Sequence, residues 1–91
     1  MLEIKQTSSF RKDLKLLMKR KYNMNLISEV VNKLASCQKL DEKYKDHELT
    51  GNFKGYRECH IQPDWLLIYK IDNKQLILTL TRTGSHSNLF G

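Results

Sequence analysis

The chain predicts an α+β domain with two N-terminal helices packed on one face of a mainly antiparallel sheet, in the order β-α-α-β-β-β. Three observations lead there. Residues 10–34 carry two apolar stripes at helical spacing, and residues 56–82 carry three strand-like runs separated by turn residues. A length of 91 residues, with 40% hydrophobic residues, one Pro and four Gly, suits one globular unit spanning 1–91 and argues against disorder.

The elements follow in order. Leu2 and Ile4 alternate with polar neighbours and predict a short first strand. Thr7, Ser8 and Ser9 are all N-cap residue types. Phe10, Leu14, Leu17 and Met18 recur at i, i+4, i+7 and i+8, one stripe of an amphipathic helix ending near Arg20. Tyr22 to Asn25 breaks it. A second helix then buries Leu26, Ile27, Val30, Val31 and Leu34 and frays at Ser36–Gln38. Lys39 to Lys54 reads as polar and irregular. Tyr56 to Gln62 alternates Arg57, Cys59 and Ile61 against Glu58 and His60, and Pro63-Asp64 marks a turn. Trp65 to Ile71 is apolar on both faces, as a central strand should be, and Gln75 to Arg82 is a third long strand. The tail from Thr83 reads as irregular, and Phe53 and Tyr56 are expected in the core. With both helices on one face, the other is expected to be left for work or for a partner.

Composition narrows the function. The net charge is +6, and its distribution is uneven. Residues 1–45 hold eleven Lys and Arg against five Asp and Glu, whereas residues 46–91 hold five of each. Arg11, Lys12, Lys15, Lys19, Arg20 and Lys21 concentrate the excess, a stripe suited to a polyanion or simply to a solvated helix face. Charge and chemistry thus look like separate jobs in the two halves. No apolar run is long enough to span a membrane, and Met1 to Gln6 lacks an apolar leader, so a cytoplasmic location is expected. Cys37 and Cys59 are too few for a disulfide framework and read as packing residues. No phosphate-binding glycine loop or dinucleotide fingerprint is present, and no cofactor is expected.

Three histidines, His47, His60 and His86, sit in the second half with Asp64, Lys54, Arg57 and Arg82. Their spacings match no zinc motif, so no metal is expected. Ser85, His86 and Asp64 form a triad only on paper, because no nucleophile-elbow sequence supports it. RNA cleavage fits better. The 2′-hydroxyl attacks its own phosphate, so the protein supplies only a base, an acid and cations. Histidine titrates near working pH, and arginine offers a fixed fork of donors for phosphate oxygens. Phe90, Trp65 and Tyr56 are available to stack on bases. A non-enzymatic module that binds nucleic acid or a partner is the alternative.

Two segments carry a resemblance. Tyr44-Lys45-Asp46-His47-Glu48-Leu49-Thr50-Gly51 leads into Lys54-Gly55-Tyr56-Arg57-Glu58-Cys59-His60-Ile61-Gln62-Pro63-Asp64-Trp65-Leu66-Leu67-Ile68-Tyr69-Lys70. The chain ends Arg82-Thr83-Gly84-Ser85-His86-Ser87-Asn88-Leu89-Phe90-Gly91. Together these closely resemble the YafQ branch of the RelE-type toxin endoribonucleases. Cys59 departs from that pattern, where a small apolar residue is common. The resemblance implies a RelE-like fold and the toxin of a type II toxin–antitoxin pair. Such toxins cut mRNA, typically in the ribosomal A site, without a metal. A cognate antitoxin, DinJ- or RelB-like and usually dimeric, neutralises them. Carried over, the pattern implies catalytic roles for His47, His60, Asp64 and His86. It implies substrate contacts for Arg82, Phe90 and Trp65; Arg57 and Lys54 join them as nearby cations.

Overall fold

Each helix begins where the sequence supplies a cap and stops where the chain turns left-handed. These and the other features of residues 1–91 are described by a computed structural model. Helix α1 (Ser8–Lys19) starts behind Thr7, whose Oγ1 accepts from the Phe10 N–H at 3.0 Å and donates to the Thr81 carbonyl at 2.7 Å. Helix α2 (Met24–Ala35) starts behind Asn23, whose side chain accepts from the Asn25 N–H. Past α1, the N–H groups of Lys21 and Tyr22 return to the carbonyls of Met18 and Leu17, with Lys21 at φ +65°. Cys37 and Gln38 close α2 in the same way. This paired closure satisfies carbonyls that the helix leaves open. Phe10 and Leu17 are buried as expected, but Met18 points outward, because position i+8 lies off the centre of the stripe.

The sheet has five strands in the order β1-β5-β4-β3-β2. They are β1 (Glu3–Gln6), β2 (His47–Glu48), β3 (Arg57–Gln62), β4 (Trp65–Asp72) and β5 (Ile77–Gly84). β1 runs parallel to β5, and every other pair is antiparallel. The α+β class and the mainly antiparallel sheet stand as expected. Two pieces are additional. The segment read as irregular contains β2, and the tail contains a short helix, α3 (His86–Phe90). Neither is long enough to show a period.

The helices pack on the sheet face formed by Cys59, Ile61, Trp65, Leu67, Tyr69, Leu78 and Leu80. Trp65 is the largest side chain there, and its burial is compatible with its polar atom. The indole N–H donates to Thr83 Oγ1 at 2.9 Å, that hydroxyl donates to the Leu66 carbonyl at 2.8 Å, and Tyr22 meets the ring edge-on at 5.0 Å. Burying a large apolar side chain of this kind contributes roughly 1.5–3 kcal/mol.

The opposite face is not the bare surface that two helices on one side suggest. Leu66 and Ile68 are fully buried although they lie outside the core cluster. α3 folds back so that Asn88 and Leu89 stand 3.6 Å from where a Gly84 side chain would begin. Phe90 meets Phe53 edge-on at 5.5 Å. Phe53 and Tyr56, expected in the core, are only half-buried.

Candidate active site

Strand register assembles the first part of the site. In β3 alternate residues point opposite ways, so Glu58 and His60 share the face away from the helices while Arg57, Cys59 and Ile61 point toward them. β2 pairs His47 directly with Glu58. Three side chains therefore meet on one face, drawn from two strands.

Glu58 is the centre of this group, and its carboxylate is almost fully buried. Its Oε2 lies 3.6 Å from His47 Nε2 and its Oε1 lies 3.9 Å from His60 Nε2. The two imidazole centroids are 6.5 Å apart. Each ring is held from behind. His47 Nδ1 lies 2.7 Å from the Lys45 carbonyl, and His60 Nδ1 lies 3.2 Å from the Pro63 carbonyl. A carbonyl oxygen only accepts, so both Nδ1 atoms carry a proton. When neutral, each ring presents an Nε2 lone pair; when protonated, each presents an Nε2–H. The local fold that makes this possible is a left-handed turn at Lys45, φ +49°, whose N–H bonds back to Glu42.

The Pro63–Asp64 turn serves a second purpose. Pro63 holds His60, and Asp64 Oδ1 accepts the backbone N–H of His86 at 3.2 Å. Asp64 thus fixes the first residue of α3, not the imidazole itself. Ser85 caps the same helix by accepting from the Asn88 N–H. The exposed His86 ring lies 5.0 Å from Phe90, which continues to Phe53.

The remaining candidates are placed elsewhere or already paired. Trp65 lies in the core, out of reach of a substrate. Arg57 is on the helix side of β3, where its Nε donates to Asp46 Oδ1 at 3.3 Å and its Nη1 lies 3.6 Å from Glu48. Tyr69 Oη donates to the same Asp46 oxygen at 2.5 Å. Burial followed by the Asp46 contact raises the Tyr69 phenol above its usual range. Burial also pushes the neighbouring Cys59 thiol up to about 12. Lys54 is exposed and lines a groove with Arg57, separate from the histidines.

Arg82 lies opposite Ile68 in the sheet, yet it is claimed by α1. Its Nε and Nη2 donate to Asp13 at 2.7 and 3.1 Å. Asp13 also accepts the Thr83 N–H at 3.1 Å. The reason is the short β1, which ends opposite Leu80 and leaves the rest of that β5 edge without a strand. The Asp13 hydrogen bond raises the Arg82 pKa, with burial opposing. One Nη of Arg82 stays free of this fork to meet an anion.

Glu58 and Asp13 are the residues that sequence reading passed over. The only signal for Glu58 was its i, i+2 spacing to His60. Asp13 gave none, since its partner lies 69 residues away.

This arrangement can be set beside known proteins. The family model described as the bacterial toxin of a type II toxin–antitoxin system, YafQ, matches residues 2–91. The chain belongs to the YafQ toxin family. One curated relative, the mRNA interferase toxin YafQ of Escherichia coli K12, is 42% identical over 90 residues, covering 98% of this chain and 96% of that protein. The crystal structure of a metal-bound toxin from Helicobacter pylori matches with a TM-score of 0.94 and 49% identity, over 99% of this chain and 100% of that one. YafQ in the Escherichia coli DinJ–YafQ complex matches with a TM-score of 0.90 and 40% identity over the whole of both chains. In this YafQ-family chain no three His, Cys, Asp or Glu side chains gather in a metal-ligand arrangement. No helix is long and apolar enough to cross a membrane.

Proposed function

We propose that this YafQ-family toxin is an mRNA interferase that cleaves message by histidine acid–base catalysis at His47, His60 and His86. The observation that carries the reading is the buried Glu58 carboxylate between two imidazoles whose protons are fixed on Nδ1. Two presented Nε2 atoms are what a reaction needs that removes one proton and donates another. The message supplies the nucleophile. Its 2′-oxygen attacks the adjacent phosphorus while a neutral imidazole takes the 2′-OH proton. The bond from phosphorus to the 5′-oxygen breaks as a protonated imidazole donates to the leaving oxygen. The products are a 2′,3′-cyclic phosphate and a 5′-hydroxyl. His86, at the start of α3, stands as the third acid–base group, and the free Nη of Arg82 supports the charged phosphorane. Asp64 holds α3 in place. Phe90, tilted beside His86 and partly exposed, is available to a flanking base.

The name carried by the Escherichia coli relatives supports this activity, and the DinJ complex supports a DinJ-like antitoxin as partner. Work on ribosome-bound message in the cytoplasm is supported by the exposed cations of α1 and the turn after it, which suit a phosphate-rich surface. Primer extension on messages after induced expression tests the activity. New 5′ ends are expected for the wild type, with a loss of roughly 100-fold or more for His60→Ala or His86→Ala. With purified toxin and ribosomes carrying a synthetic message, none are expected where the attacking ribose is 2′-deoxy. Undiminished cleavage by folded variants, or cleavage of the deoxy message, rejects the mechanism. Growth inhibition without new 5′ ends favours a binding module instead. Chelation with EDTA is expected to leave cleavage unchanged.

A further inference from the structure

A groove of about 470 Å³ opens beside His60, between the end of β3, the start of α2 and the 42–44 turn. Its floor is apolar, formed by Leu26, Ile61 and Pro63, and Lys43 and Lys45 stand at its side. None of its lining residues is acidic. The volume falls in the range of small-ligand pockets, about 300–1,000 Å³. We infer that this groove is a subsite for one nucleotide next to the scissile phosphate, its base on the apolar floor and its phosphate against Lys43 and Lys45.

The placement of the two lysines supports that ligand. Lys45 carries the carbonyl that holds His47 Nδ1, so one short turn sets both a cation and a candidate catalytic ring. Lys43 reaches over the Tyr44 ring, with Nζ 5.1 Å from its centroid, which restricts where the ammonium can go. His60 borders the groove, but its Nε2 faces Glu58 across the sheet from Ile61. β2 pairs only with Arg57 and Glu58, so the β3 edge at His60 is open, and a strand with its reactive phosphate at Nε2 passes round that edge into the groove. An apolar floor with cations at its side suits a base and its phosphate; a bare anion uses only the cations.

The inference rests on the catalytic reading of His60, but its test does not require cleavage. The probe is a single-stranded hexanucleotide with 2′-deoxy sugars throughout, which lacks the attacking hydroxyl and cannot be cut. Methyl NMR of the otherwise unmodified toxin is expected to show shifts at Leu26 and Ile61 on titration. Lys43→Gln with Lys45→Gln is expected to lower the salt slope of binding by about 0.7, equivalent to roughly fivefold weaker binding at 0.1 M relative to 1 M salt. Both lysines are exposed, so the variant is expected to melt like the wild type. Unshifted Leu26 and Ile61 methyls, or an unchanged salt slope in the folded variant, overturns the subsite. Equal methyl shifts with inorganic polyphosphate also overturn it, since a bare anion has no base for the floor. Failure of the catalytic reading appears separately, as cleavage that survives His60→Ala.

Discussion

Replacing Asp13 with Ala should be the most costly single change on the surface of α1. The side chain accepts three hydrogen bonds, from Arg82 Nε at 2.7 Å, Arg82 Nη2 at 3.1 Å and the Thr83 N–H at 3.1 Å. It is 16% exposed and the Arg82 side chain 36% exposed. A charge-assisted bond in a buried site contributes about 1.5–3 kcal/mol, and solvent at Arg82 reduces each of these two to about 1 kcal/mol. The Thr83 N–H, left without a partner at a strandless edge, adds about 1 kcal/mol. The sum is about 3 kcal/mol, a large share of the total stability of roughly 5–14 kcal/mol expected at this length. At 4–8 °C per kcal/mol, Tm should fall by about 12–24 °C. Thermal melts followed by circular dichroism measure this. A cycle of Asp13→Ala, Arg82→Ala and the double variant isolates the pair, with a coupling of at least about 1 kcal/mol expected. A Tm loss below about 3 °C, or zero coupling, would mean that the contact is an ordinary surface ion pair.

Other outcomes follow from the same structure. Tyr69→Phe removes a donor from Asp46 and should cost about 1–2 kcal/mol in urea unfolding, because the carboxylate loses one of its partners; an unchanged midpoint refutes the clamp. The Cys59 thiol is raised in the fold from 9.0 to about 12, so its contribution is complete below pH 9 and is lost as pH climbs through that window. Stability should therefore decline between pH 9 and 12, and Cys59→Ala should flatten this limb; an equally steep limb in the variant assigns the loss elsewhere. At pH 8 iodoacetamide should modify exposed Cys37 alone, with Cys59 reacting only after denaturation, as read by mass spectrometry. Reversing Lys15, Lys19 and Arg20 to Glu should weaken ribosome association and its salt dependence; sedimentation unchanged by the reversal leaves these cations to solubility alone.

The amino-acid sequence by itself determined the two helices, the three long strands and the family. Helical spacing, strand alternation and contiguous motifs are local properties, readable along the chain. His47, His60 and His86 were legible for the same reason, as part of long motifs. Their arrangement was not. Only register placed Glu58 between His47 and His60, because pairing β2 with β3 depends on which backbone groups meet in space, and a two-residue strand has no periodicity to announce it. Arg57 and Arg82 read as cations for a substrate, yet folding gives them Asp46, Glu48 and Asp13 as partners. Trp65 read as a possible substrate contact, and a hydrogen bond from its indole to Thr83 lets the core take it whole. The two halves also looked divided between charge and chemistry. In the fold, Lys43 and Lys45 from the basic half border the groove at His60, and Lys21 lines a cavity of about 550 Å³ with Asp64. Charge counted along a chain ignores distance, whereas its action on an RNA phosphate depends on separation in space, which tertiary structure alone decides.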